Sequence, residues 1–572
     1  MKNFTKLLAL LLALVIMLAS CGVPGANETT GTESEVTTAE TTSKTTEETT
    51  EGETEEETTP YRDTISRTRE ELEAMLNLKD EDFDNTLAKL DEFEALAIVS
   101  SDLEAVDALY DEVEDMFYHI STQISIASVI YYINMKDQEA SDRYLGAYEK
   151  YGDLYNEYID ACKNAYNNSP IRDELFADWS EEDIKQLLEY DPEIQELRQA
   201  NEELQVQIEN LNIYDKDNRA KFYAQLVTNQ NRLAKLEGYD NYYVYASKEI
   251  YGRDYTMEDV AAFNSFVSKY MYENYATLNR GYFSGYRGLT ADGQKQLDDF
   301  LNNEFDKLDE NYFLEYIKSY EGTSTGEGFM HLLENRNMIF ANGANSHQSA
   351  FQTYFDDLET PFCLFGSNGQ STNTMVHEMG HYYAAIHHPD VESFDIAETQ
   401  SQANEMLLVK FMQSKLDEDV FTVLQNYMVY NFVQTVLISS IIDAFEQRVY
   451  ALDSVEGFGS EEFDAIMYDV CTAYGGVNFV NKNLTQIDYY WRLVCPSSSV
   501  YYISYGTSVV EALGIYAVAL EDEAAGREMY RKLIEDVTEE HGFKQAMEFI
   551  GLGDPFTEDT FIAIEGLLNP SK

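Results

Sequence analysis

His377, Glu378 and His381 are the residues whose types and spacing carry the plainest chemistry in this 572-residue chain. On a helix, positions i and i+4 lie one above the other, so the two imidazoles can reach one cation while Glu378 projects beside them. Such a pair suits zinc, and a carboxylate at its side can take a proton from water at the metal and pass it to a leaving amine. The chain has only 8 His, which makes a chance occurrence of His-Glu-x-x-His uncommon. Apolar Met375, Val376, Met379, Tyr383 and Ile386 recur around it at helical spacing. Ser371, Thr372 or Asn373 can cap the start, and Pro389 marks a stop after His388, so the spacing predicts a helix here.

Two His leave a zinc ion short of protein ligands. The segment Asp395 to Leu408 reads as a second helix bearing Glu398 and Glu405, seven residues apart and therefore on one face. A catalytic zinc with two His and one Glu keeps a position open for water. Glu398 is the expected ligand, and Glu405 the carboxylate that orients a ligating side chain.

The chain opens with Met1-Lys2-Asn3-Phe4-Thr5-Lys6, an apolar run to Met17 and then Leu18-Ala19-Ser20-Cys21. Residues 1–21 therefore read as a secretory signal, and Leu-Ala-Ser-Cys is similar to the lipobox of bacterial lipoproteins, in which the Cys carries the lipid. Residues 22–62 are dominated by Thr and Glu and offer little apolar surface to offset ordering entropy, which predicts a disordered, charge-extended tether. Together these imply a lipid anchor on Cys21 and a body held at the bacterial cell surface, facing outward. The whole chain is 44% hydrophobic with 43 Tyr and 30 Phe, a globular composition for the part beyond the tether. A net charge of −65 repels phosphate and excludes nucleic acid as a natural partner. Cys162, Cys363, Cys471 and Cys495 show no metal-like spacing and are expected as buried thiols.

Residues 63–250 are patterned for helices almost throughout, as in Glu196 to Ile208, and predict long antiparallel helices. A coiled coil is the competing structural reading, but clean heptads are not sustained. Between Gly322 and Gly369 the composition shifts, and Met338–Ala341 and Pro361–Phe365 read as strands of a small sheet preceding the His377 helix. An edge strand there could pair with an extended peptide. His331 and His347 lack ligand spacing and are expected at the surface or in the core. The segment Trp491 to Gly506 brings Tyr501, Tyr502 and Tyr505, whose hydroxyls are either oxyanion donors or members of an aromatic core.

Taken together, His377-Glu378-Met379-Gly380-His381, the segment Ala397 to Leu408, Tyr501 to Gly506 and Asn231 to Tyr242 resemble the oligoendopeptidase F and thimet oligopeptidase family of zinc metallopeptidases, over roughly residues 180 to 550. The resemblance implies a mainly helical, two-lobed, zincin-like body with a small β-sheet beside the metal helix and a deep channel for oligopeptides. It implies residues 63–250 as a helical N-terminal lobe and 251–572 as the catalytic region, with one Zn2+ per chain and cleavage of internal peptide bonds. His377, His381 and Glu398 fall on the metal ligands, Glu378 on the base, and Tyr505, with Tyr502 beside it, on substrate or oxyanion binding. The chain departs from the family pattern in three places. The interval from His381 to Glu398 is short, Ala384 stands where a further His is common, and no His occurs between His388 and His541. Counted from His381, Glu405 lies closer than Glu398 to the family's ligand interval, whereas the local pattern favours Glu398. The expected activity is zinc-dependent endopeptidase action on oligopeptides. The alternative is a catalytically impaired, lipid-anchored peptide-binding protein that keeps a structural zinc.

Overall fold

The computed structural model describes residues 61–569 apart from 190–191, 210, 213, 302–311, 344, 368, 390–392, 474–490, 493 and 495–498. The signal, Cys21, almost all of the expected tether and Cys495 lie outside the described residues. Cys162, Cys363 and Cys471 are buried free thiols.

The fold is mainly α with one small sheet. Three long helices near the start, α1 (Asp80–Ala97), α2 (Leu103–Ile133) and α3 (Gln138–Asn168), pack together. Asp102 and Asp137 cap the second and third by accepting from the N–H groups of Ala105 and Ala140. Their seam is aromatic: Phe93, Tyr110, Phe117, Tyr151 and Tyr158 are fully buried, and the Tyr110 and Tyr158 hydroxyls share a 2.6 Å hydrogen bond. Bulky rings meeting edge to face take the place of regular knobs, which is why no clean heptad shows in the sequence.

The sheet has the order β1-β3-β2, with β1 (Met338–Phe340) parallel and β2 (Ala350–Phe355) antiparallel to the central β3 (Thr360–Phe365). The two strands of the sequence reading, β1 and β3, are present, and β2 is an addition to it. Side chains alternate between two covered faces. Met338, Cys363 and Phe365 join the cluster around the His377 helix, whereas Ile339, Phe362, Leu364 and Phe351 join Ile126, Val129 and Ile130 of α2. A sheet covered on both faces explains the unbroken apolar run Pro361–Phe365. The outer edge of β1 is met by the chain before α1, where Arg67 N–H donates to the Met338 carbonyl at 2.8 Å.

Four helices build the centre: α4 (Thr372–His387), α5 (Phe394–Met412), α6 (Glu418–Tyr450) and α7 (Tyr502–Glu521). Ser371 caps α4 by accepting from Thr374 N–H at 3.1 Å, and the helix ends before Pro389. Helix α5 packs against both α4 and α7, and α6 packs on α7. Helices α6 and α7 are long and apolar enough to cross a membrane, yet 72% and 83% of their apolar windows are buried inside the molecule, the mark of core helices.

Candidate metal centre

The i, i+4 spacing on α4 brings the His377 and His381 rings to 4.9 Å between centroids at 78°. Helix α5 delivers Glu398 beside them, and one donor atom from each of His377, His381 and Glu398 lies within 4.8 Å of the others. Glu398 Oε2 is 3.6 Å from His377 Nε2. The opposite ring nitrogen, Nδ1, is hydrogen-bonded to Glu405 Oε1 at 2.8 Å. The seven-residue spacing on α5 thus places one carboxylate on each side of the His377 ring.

These side chains are substantially withdrawn from water: His377 keeps 12% of its side-chain surface and Glu398 only 1%. Burial alone opposes a proton on His377, but the Glu405 hydrogen bond and the charges of Glu405, Glu398 and Glu378 outweigh it and lift the pKa to about 9. For His381, burial and the neighbouring His377 push the pKa well below its ordinary value. Burial raises Glu398, opposed by His377 and by the Tyr501 hydrogen bond. The carboxylates around His377 thus favour positive charge on its ring. Glu378 is fully buried, and Cys363 Sγ of the sheet lies 3.9 Å from its backbone carbonyl oxygen. Burial and the Glu378 charge hold the Cys363 thiol well above its ordinary value.

The donor set of two imidazoles and one carboxylate fits zinc with a position left for water. A metal would take the place of the second proton on His377: in the neutral tautomer that donates Nδ1–H to Glu405, Nε2 presents its lone pair on the side where Glu398 lies.

Tyr501 Oη donates to Glu398 Oε1 at 2.5 Å. The sequence reading named Tyr505 and Tyr502 from this cluster. Tyr505 is buried with its ring 4.9 Å from that of Tyr501 and 6.1 Å from that of Tyr502, which places both in the same aromatic cluster. Sequence reasoning also missed a buried support. Asp395, one turn before Glu398, accepts from Tyr255 Oη at 3.0 Å, Ser504 Oγ at 3.1 Å and Thr507 Oγ1, and faces Arg253 Nε at 3.7 Å. Its one available signal was an Asp three residues before Glu398; Arg253 has none, because only the tertiary fold brings it here. His331 and His347 spend Nδ1 elsewhere, on Tyr382 Oη at 2.7 Å and the Ser349 carbonyl at 3.0 Å.

A His-His-Glu group carried on two packed helices sits beside a small sheet in a mainly helical fold. No family model and no curated protein matches the sequence. Solved structures match the fold. A chain provisionally designated oligoendopeptidase F aligns with TM-score 0.65 at 18% identity, covering 87% of this chain and 98% of its own. PZ peptidase A with an inhibitor gives 0.63 at 19% identity, covering 88% and 98%. A chain from Bacillus anthracis, also provisionally designated oligoendopeptidase F, gives 0.59 at 17% identity, covering 87% and 95%. The chain therefore has the fold of the oligoendopeptidase F and PZ peptidase structures, in agreement with the likeness its motifs carry.

Proposed function

We propose that this protein is a zinc-dependent endopeptidase that cleaves internal bonds of oligopeptides. The observation that carries the reading is the convergence of His377, His381 and Glu398, with Glu405 on the far nitrogen of His377. Zinc held there would acidify water and polarise a peptide carbonyl. Glu378 then holds the proton taken from water and gives it to the leaving amine. Glu405 keeps Nδ1 of His377 protonated, and Tyr501 holds one oxygen of Glu398. Tyr505, with Tyr502 beside it, is the proposed donor to the negatively charged oxygen of the transition state.

A quenched oligopeptide digested with and without chelator tests this, read beside Glu378→Gln. That variant should lose hydrolysis while keeping about one zinc per chain, since Gln preserves shape and removes the base. Residual activity within about tenfold of wild type would remove Glu378 from the mechanism. The absence of any His between His388 and His541 favours the second reading, a peptide-binding protein with a structural zinc. Peptide binding without cleavage in the same digest would select it.

We further propose attachment to the outer face of a bacterial membrane through a lipid on Cys21. Support comes from the Leu-Ala-Ser-Cys pattern. Cys21→Ser should release the protein from membranes at unchanged specific activity, and a variant that still sediments with membranes would place the anchor elsewhere.

A further inference from the structure

We propose that a strained backbone clamp at Val500, held by Glu446 and Arg253, sets the third metal ligand by delivering the Tyr501 hydroxyl to Glu398. The inference rests on reading His377, His381 and Glu398 as the zinc ligands, and it names what holds one of them.

Val500 has φ of 70°, the left-handed region, and is the one β-branched residue among the described non-glycine residues with positive φ. A conformation of this kind costs about 1–3 kcal/mol and persists only where its surroundings over-determine it. Here they do. The Val500 N–H donates to Glu446 Oε1 of α6 at 2.7 Å, and its carbonyl accepts from Arg253 Nη2 at 2.7 Å. On either side, the Ser499 carbonyl accepts from Tyr251 Oη at 2.7 Å and the Tyr501 carbonyl accepts from Arg253 Nη2 at 3.4 Å. Arg253 also faces Asp395, so the clamp is tied to α5 one turn from Glu398.

The clamp is costly for fold stability alone. Glu446 is fully buried and its Oε2 has no hydrogen-bond partner among the described residues. An apolar residue at 446 would avoid burying a carboxylate, and a glycine at 500 would adopt this φ without strain. What the arrangement gains is direction. The next residue, Tyr501, is wedged between the Tyr251 and Phe394 rings, each 5.5 Å away, with its hydroxyl on Glu398 Oε1. That contact leaves Oε2 facing His377 Nε2 and keeps the carboxylate from turning.

The test is a zinc competition titration of the full chain against a chromophoric chelator, which needs no catalytic turnover. Tyr501→Phe should weaken zinc binding by about 10–100-fold, the usual effect of removing a group that orients a ligand. Glu446→Met, an apolar isostere without an acceptor, should weaken it comparably, and the double variant should be no worse than either alone because both act through one contact. Glu446→Gln keeps an acceptor oxygen for the Val500 N–H and should bind as wild type does. Val500→Gly frees the backbone while also giving up a fully buried side chain, so its readout is zinc affinity in the folded protein, which should weaken. Wild-type affinity in folded Glu446→Met, or multiplying losses in the double variant, would overturn the clamp. Should Glu446→Met fail to fold, Val500→Gly decides alone, and unchanged zinc affinity there overturns it. A wild-type chain that takes no zinc with these three residues would instead reject the proposed function.

Discussion

His377 makes two opposite demands on its neighbours, and they separate the roles of Glu398 and Glu405. A ligating imidazole needs one nitrogen free for the metal and the other held by an acceptor. Glu405 occupies Nδ1 at 2.8 Å, so it supports the ring, whereas Glu398 lies toward Nε2 with His381. Glu398→Ala should therefore strip zinc at chelator concentrations that wild type survives, and Glu405→Ala should weaken affinity by only about 10–100-fold. The reverse ranking, measured by chelator titration, would move the ligand to Glu405. Both carboxylates were legible in the sequence because helical periodicity fixes which residues share a face. Their order was read as Glu398 for the ligand by weighing local pattern above interval, since the two disagreed. The contact of Tyr501 with Glu398, and Arg253 and Glu446 altogether, were illegible for a different reason: they come from segments far apart in the chain or from a helix packed across the site, and no local period connects them.

At the scale of the element, Gly380 inside the motif decides how closely α4 and α5 approach. A Cβ on Gly380 would lie 2.7 Å from Ser401 Cα and 2.8 Å from the Gln400 carbonyl oxygen, both backbone atoms that cannot swing away. Alanine favours an isolated helix by about 1 kcal/mol over glycine. Gly380→Ala should nevertheless lower the melting temperature and weaken zinc binding, because it separates the helix bearing His377 and His381 from the one bearing Glu398. A more stable variant with wild-type zinc affinity would show that the crossing has slack. Helix α7 carries the opposite kind of anomaly. Glu511 is buried, neither carboxylate oxygen has a hydrogen-bond partner among the described residues, and burial with nearby Asp554 lifts its pKa to about 8. An acid with a raised folded pKa is penalised once the unfolded chain ionises. Stability should therefore fall as pH rises from about 4.5 to about 8. Glu511→Gln should flatten that slope and be more stable than wild type above pH 8, by an amount on the order of 5 kcal/mol at about 1.4 kcal/mol per pKa unit. Denaturant melts across this pH range check it, and parallel curves for the two proteins would refute it. The helices were readable from their periodicity, and two of three strands from β-prone runs. Strand β2, Ala-Phe-Gln-Thr-Tyr-Phe, was not singled out because its alternation is brief and its partner lies across a turn.

For the whole molecule, the question is whether the region bearing the metal centre can stand without the helices before it. A boundary at 250/251 follows the change in sequence pattern, yet two hydrophobic clusters cross it. One joins Ile126, Val129 and Ile130 of α2 to Ile339, Phe351, Phe355, Phe362 and Leu364 of the sheet. Another joins Tyr223, Leu226, Val227 and Tyr243 to Ile441, Phe445, Trp491 and Tyr501. Polar ties follow the same route, since Tyr243 Oη donates to Asp443 at 2.6 Å and Arg219 Nη2 to the Arg492 carbonyl at 3.2 Å. Uncovering the five sheet residues alone forfeits roughly 1.5–3 kcal/mol each. The sum is comparable to the 5–15 kcal/mol that stabilises a typical folded protein. It also bares a continuous apolar face on a three-stranded sheet, an invitation to edge pairing and aggregation. A fragment spanning 251–572 should accordingly be insoluble or bind a hydrophobic dye without a cooperative melt, and should not hold zinc against a chelator that the full chain resists. Adding residues 61–250 as a separate chain should restore solubility and zinc binding, because the missing half of each cluster is then supplied. A fragment that melts cooperatively and binds zinc on its own would show that the metal centre is independent of α2, and that the sheet's second face tolerates water.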